Sequence, residues 1–167
     1  IGLPAPQTIV EITDIEEPSR VLKQGETGEI CLSGPQVMLG YWNQEEETKA
    51  ALQDGRFHTG DVGYMDEDGY TYLIDRLKEV IIAGGYNVYP RHVEDAIYRH
   101  PAVEEATVVG VDDEYRQQTV KAFVKLRSDQ DLKENDLLEF LKDKLSKIEM
   151  PKQIEFREEL PKTLIGK

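Results

Sequence analysis

Apolar residues recur along this chain with two different periods. Short β-branched runs bounded by Gly, Pro or polar residues predict strands over residues 8–12, 28–32, 62–65, 70–74, 79–83, 103–111, 119–126 and 153–156. Asp66-Glu67-Asp68-Gly69, between two of these runs, is a hairpin signal. Helical spacing occurs in three places. The first helix runs from an Asn43 N-cap to about Leu52, with Glu46 as capping-box partner and Asp54-Gly55 as its stop. The second has Pro90 in its first turn, Val93, Ala96 and Ile97 on one face, and His100-Pro101 as its stop. The third covers 134–145, with Leu137, Leu138, Leu141 and Leu145 in register. Residues 145–151 predict a loop and 161–167 a polar, flexible tail.

The elements fall into two groups. Residues 1–74 read as strands with one helix, a piece of a barrel or sandwich with no complete core. From residue 79 onward strands and helices alternate, as in a small α+β sandwich. Charge divides the same way: residues 1–74 hold 14 acidic and 4 basic side chains, the remainder 19 and 16. This asymmetry supports two units.

The net charge of −13 argues against a nucleic-acid or anionic-membrane partner, since both bind through basic surfaces. A 39% apolar content is too high for a disordered acidic chain, and the longest apolar stretches, near Val80-Ile81-Ile82-Ala83, are too short to span a membrane. The single cysteine, Cys31, allows no internal disulfide and fits a reducing cytoplasm. Ile1-Gly2-Leu3-Pro4 lacks a signal peptide, and a start without Met together with an end at Gly166-Lys167 leads us to expect a chain cut from something longer.

Two segments carry candidate chemistry. In Thr59-Gly60-Asp61, Gly60 allows close backbone approach and the Asp61 carboxylate suits a pair of hydroxyls such as a ribose diol; a turn aspartate capping its own backbone is the alternative. In Asp75-Arg76-Leu77-Lys78-Glu79, Arg76 and Lys78 share a side of an extended segment and suit phosphate, or else form a surface ion-pair cluster. Ala83-Gly84-Gly85-Tyr86-Asn87 follows; its glycines lack the spacing of a phosphate-cradling loop. His58, His92 and His100 show no metal-ligand spacing with one another or with Cys31, so no metal site is expected. Cys31 reads as a small core residue, Tyr41 and Trp42 as packing anchors, and Lys162 and Lys167 as solvated tail lysines.

Taken together, five segments resemble successive signatures of the adenylate-forming (AMP-binding) superfamily. They are Gly28-Glu29-Ile30-Cys31-Leu32-Ser33-Gly34, Gly40-Tyr41-Trp42-Asn43, Phe57-His58-Thr59-Gly60-Asp61-Val62-Gly63, the run from Asp75 to Pro90, and Leu160-Pro161-Lys162-Thr163-Leu164-Ile165-Gly166-Lys167. The wording around 81–90 and 115–124 is most similar to bacterial fatty acyl-CoA ligases. The resemblance implies an α+β architecture: the β-rich end of a large N-terminal domain (1–74), a hinge (75–78) and a small C-terminal sandwich domain (79–167). It implies a two-step reaction in which a carboxylate and ATP give an acyl-adenylate and CoA then displaces AMP, with Mg2+ entering with ATP and the small domain rotating between steps.

Site roles carry over by motif. Asp61 accepts both ribose hydroxyls, and Arg76 contacts the ribose and phosphate side. Lys78, with Asp75, is the hinge. Lys167 is the adenylation lysine, bridging the attacking carboxylate and the α-phosphate. Gly84, Gly85 and Tyr86 line the pantetheine tunnel, and Asn87 approaches phosphate. The phosphate loop and the acyl pocket of the family are missing, so the expected partner is the missing N-terminal part of the same chain, and no catalysis is expected from this piece alone. Arg56 stands where an aromatic residue is common, and Ile82 where some relatives carry a thioester-step lysine. Two other readings compete: an adenylation domain loading a carrier-protein pantetheine, and a non-catalytic nucleotide- or partner-binding module. The expected location is cytoplasmic, with the longer enzyme peripheral to the membrane.

Overall fold

A computed structural model of the chain describes residues 1–161. The chain divides into two compact units, Ile1–Lys78 and Glu79–Lys167. Among the described residues no helix is long and apolar enough to cross a membrane.

The first unit is an antiparallel sheet of β1 (Ile9–Thr13), β2 (Gly28–Ser33), β3 (Leu52–Gln53), β4 (Arg56–Met65) and β5 (Thr71–Arg76), with one short helix, α1 (Glu45–Ala51). The order is β1-β2-β4-β3, and β5 pairs with β4 beyond the short β3. The buried apolar residues are few, chiefly Ile12, Ile30, Cys31 and Val62. That follows from the sequence, whose strand runs here are short and interrupted by charge.

Three local expectations are corrected. Helix α1 is entered through Gln44, not Asn43. Asn43 takes a left-handed φ of 53°, while the Thr48 hydroxyl donates to the Gln44 carbonyl and accepts the Tyr41 N–H, so no capping box forms. Asp54-Gly55 does more than stop the helix: with φ of 52° and 76° it is a two-residue hairpin joining β3 to β4, the conformation that Asp-Gly favours. Trp42 is not a packing anchor within this unit, since it is 87% exposed.

The second unit contains β6 (Ile81–Ala83), β7 (Tyr86–Val88), α2 (Pro90–Tyr98), β8 (Val103–Asp113), β9 (Gln117–Leu126), α3 (Glu134–Leu141) and β10 (Gln153–Phe156). Strand β9 is central: it pairs antiparallel with β8, parallel with β10, and at its start with β6, which in turn pairs with β7. Alternation explains the face it buries. Val120, Ala122 and Val124 point into one core with Ala106 and Val108 of β8, and α2 and α3 close it with Val93, Ile97, Leu137 and Leu141. Pro90 takes the first helical position, where a missing N–H costs nothing. The last helix is shorter than its leucine spacing predicts, yet Leu145 remains in the core because a following turn, with its N–H on the Leu141 carbonyl, carries it back.

Candidate functional site

Strand β4 carries the first candidate segment, and its pairing with β2 is irregular there. Cys31 lies opposite His58, yet Glu29, only two residues earlier on β2, lies opposite Val62, four residues later on β4. Two extra residues are therefore accommodated around Thr59-Gly60-Asp61 as a β-bulge. Bulges re-aim side chains and leave ladder groups unpaired. Gly60, at φ 70°, makes the left-handed step that this requires.

The orphaned groups find partners in side chains. Glu29 is buried, and both of its carboxylate oxygens are used. Oε1 accepts the Gly60 N–H at 3.0 Å, and Oε2 lies 2.8 Å from His58 Nδ1. The Thr59 hydroxyl donates to the Ile30 carbonyl at 2.7 Å and accepts the Asp61 N–H at 3.1 Å. Cys31 Sγ lies 3.4 Å from His58 Nδ1 and 3.3 Å from the Thr13 hydroxyl. Burial raises the Cys31 thiol above its ordinary value, with nearby Glu29 adding to the effect and the Thr13 bond opposing it.

The bulge presents Asp61 to its other neighbour. Asp61 stands opposite Arg76 in the β4–β5 register, and Arg76 Nε lies 3.0 Å from Asp61 Oδ1. The side chains are 32% and 56% exposed, so this pair is worth at most about 1 kcal/mol and can be rearranged by a ligand. Asp75, beside Arg76, is buried and turns its Oδ1 onto the Arg76 N–H at 2.8 Å. A cleft of about 270 Å³ opens next to Asp61 and Thr59, walled by Leu3, Val10, Ile30 and Leu32. Asp61 thus faces an apolar cleft on one side and meets the half-exposed Arg76 guanidinium on the other.

The remaining candidates are elsewhere. Lys78 is exposed in a 3-10 turn, Leu77–Glu79, so the expectation that it shares a strand face with Arg76 fails: the backbone leaves the extended state after Arg76. In the second unit, Gly84 and Gly85 form the β6–β7 hairpin with φ of 61° and 82°, and Tyr86 and Asn87 are exposed on β7. A Cβ on Gly85 would meet nothing within 4 Å, so within this unit the turn alone demands glycine there. Lys162 and Lys167 lie outside the described residues.

Sequence reasoning missed Glu29 and His58 as partners of this site, and missed that Glu29, Cys31 and His58 place ligand-type atoms within 4.8 Å of one another. A carboxylate inside a buried strand was the available signal, because such a group requires partners. Linear spacing hid it, since the register bringing His58 to Cys31 spans 27 residues.

Residues 1–42 match the family described as AMP-binding enzyme, and residues 92–167 the AMP-binding enzyme C-terminal domain. A long-chain-fatty-acid–CoA ligase of Bacillus subtilis is 52% identical over all 167 residues. The chain belongs to the AMP-binding enzyme family. It spans about 30% of the length of that curated relative. The AMP-binding enzyme architecture extends over nearly the whole chain in solved structures. ATP-bound MatB from Rhodopseudomonas palustris is 36% identical with a TM-score of 0.91, covering 99% of this chain and 33% of that one. The o-succinylbenzoate CoA synthetase of Bacillus subtilis, in complex with an acyl-adenylate intermediate, is 34% identical with a TM-score of 0.87, covering 98% and 33%. The α+β class read from the sequence is borne out.

Proposed function

We propose that this chain is the C-terminal part of an ATP-dependent, AMP-forming acyl-CoA ligase acting on long-chain fatty acids. The observation that carries the reading is the Asp61–Arg76 pair beside the β4 bulge, in a chain whose relatives include long-chain-fatty-acid–CoA ligases. On this reading Asp61 releases part of its contact with Arg76 and accepts the two ribose hydroxyls of the nucleotide. Arg76 turns its guanidinium toward the ribose and phosphate oxygens. The fatty-acid carboxylate oxygen attacks the α-phosphorus, pyrophosphate departs, and the CoA sulfur then attacks the acyl carbon and displaces AMP.

Lys167 bridges the attacking carboxylate and the α-phosphate, holding two mutually repelling anions together. Lys78 and Asp75 form the hinge between the units. Gly84, Gly85 and Tyr86 line the path of the pantetheine arm, and Asn87 contributes near phosphate. Mg2+ arrives with ATP. The phosphate loop and acyl pocket belong to the preceding part of the longer protein, so the isolated chain does not turn over. The names of the relatives favour CoA over a carrier protein as acceptor.

The test is acyl-adenylate formation by the longer protein carrying Asp61→Ala or Lys167→Ala. The expected loss for Lys167→Ala is about two to three powers of ten, the scale for removing one transition-state donor. Normal adenylate formation by both variants contradicts the assignment.

A further inference from the structure

We propose that Glu29 is a positioning residue for nucleotide recognition: its carboxylate, bonded to the Gly60 N–H and to His58 Nδ1, holds the bulge that aims Asp61. The inference rests on the ribose-binding reading of Asp61. It deepens that reading by naming what fixes the carboxylate in place.

Inserting two extra residues into β4 removes ladder partners, and a buried N–H without a partner is costly. Gly60 cannot supply a side chain to stabilise its own turn. The neighbouring strand does so instead. Glu29 reaches across from β2 and takes the Gly60 N–H at 3.0 Å. The same carboxylate meets His58 Nδ1 at 2.8 Å, so it grips the residues flanking Thr59 from one side. The Thr59 hydroxyl, tied to the Ile30 carbonyl, takes the Asp61 N–H from the other. Every anchor of the turn among these contacts is thus a residue of β2 or of the turn itself.

The three donors Glu29, Cys31 and His58 also resemble a metal cluster. Both Glu29 oxygens are engaged by hydrogen bonds to the Gly60 N–H and to His58 Nδ1, which is the arrangement the clamp requires. His58 Nε2 is buried and makes no hydrogen bond within the described residues.

A residue that only stabilised the sheet would change protein yield and melting temperature without changing which nucleotide is preferred. A residue that aims Asp61 changes the discrimination between ATP and 2′-deoxy-ATP. The experiment compares kcat/KM for pyrophosphate formation with these two nucleotides in the longer protein, for wild type, Asp61→Ala, Glu29→Ala and Glu29→Asp. Glu29→Asp keeps the charge but withdraws the carboxylate by one methylene, and serves where Glu29→Ala does not fold.

The wild type is expected to prefer ATP and Asp61→Ala to lose the preference. The Glu29 variants should reduce it about tenfold to a hundredfold, the scale of one charge-assisted hydrogen bond, mainly through KM for ATP. A Glu29 variant that keeps the wild-type preference while Asp61→Ala loses it overturns the positioning role and leaves the ribose reading standing. An Asp61→Ala enzyme that keeps the preference removes the ribose reading and the inference with it.

Discussion

Gly63 follows Asp61 by two residues on β4 and lies opposite Gly28 of β2. A Cβ on Gly63 would come within 2.2 Å of the Tyr72 carbonyl oxygen and 2.7 Å of Ile30 Cδ1. The first neighbour is backbone of the paired strand and cannot rotate away, so β4 and β5 must part by about an ångström for Gly63→Ala to fit. Overpacking of this kind costs about 1–3 kcal/mol and more where backbone must move. We place Gly63→Ala at about 3 kcal/mol or above. Gly60→Ala is the control. A Cβ there meets nothing within 4 Å, and only the left-handed φ of 70° is penalised, at about 1–2 kcal/mol. Cys31 provides the assay. It is the one cysteine of the chain, fully buried in the same sheet, and its raised pKa keeps it as the unreactive thiol. Labelling by a thiol reagent under native conditions then reports opening of this unit. Gly63→Ala should label more than about a hundredfold faster than wild type, and Gly60→Ala about tenfold faster. Equal rates for wild type and Gly63→Ala, or faster labelling of Gly60→Ala, would refute the steric argument.

The second unit gives two further predictions. Leu137 is fully buried between α3 and the sheet, so Leu137→Ala should cost about 2–5 kcal/mol, read from the urea midpoint followed by far-ultraviolet circular dichroism; a loss below about 1 kcal/mol contradicts the packing described. Lys152, 2.7 Å away, and the backbone N–H groups of Arg116 and Tyr115 hold the Asp113 carboxyl below its ordinary value. A depressed carboxyl adds stability that is present above its unfolded pKa and lost as pH falls through the folded one. The melting temperature should therefore drop below about pH 4, and Asp113→Asn should flatten that acid limb. An unchanged limb in the variant contradicts the linkage.

Much of the second unit was legible in the sequence because its signals are local. The strand run at 119–126, Pro90 at a helix start and the break of the strand at Gly84-Gly85 each arise from neighbours within a few residues, whereas the short return strand β7 was not predicted. The site in the first unit was legible only in part. Asp61 and Arg76 were identifiable as residue types in a motif, but their 3.0 Å contact depends on strand register. The Glu29 clamp depends on a bulge that shifts that register, and no periodicity announces a bulge in advance. Asn43 failed as a cap for a related reason: Tyr41 and Thr48 close a tight turn that takes Asn43 into the left-handed region and moves the helix entry to Gln44. Lys78 was misplaced because an extended geometry was assumed past the residue where the strand ends.

The activity proposed for the longer protein is that of an adenylate-forming ligase with a fatty acid and CoA as co-substrates. The most direct measurement is pyrophosphate release by the longer protein across a panel of carboxylates, each with and without CoA. The account predicts release with long-chain fatty acids that becomes sustained turnover only when CoA is added. Release that stalls after one turnover despite CoA, or no release with any carboxylate, contradicts it.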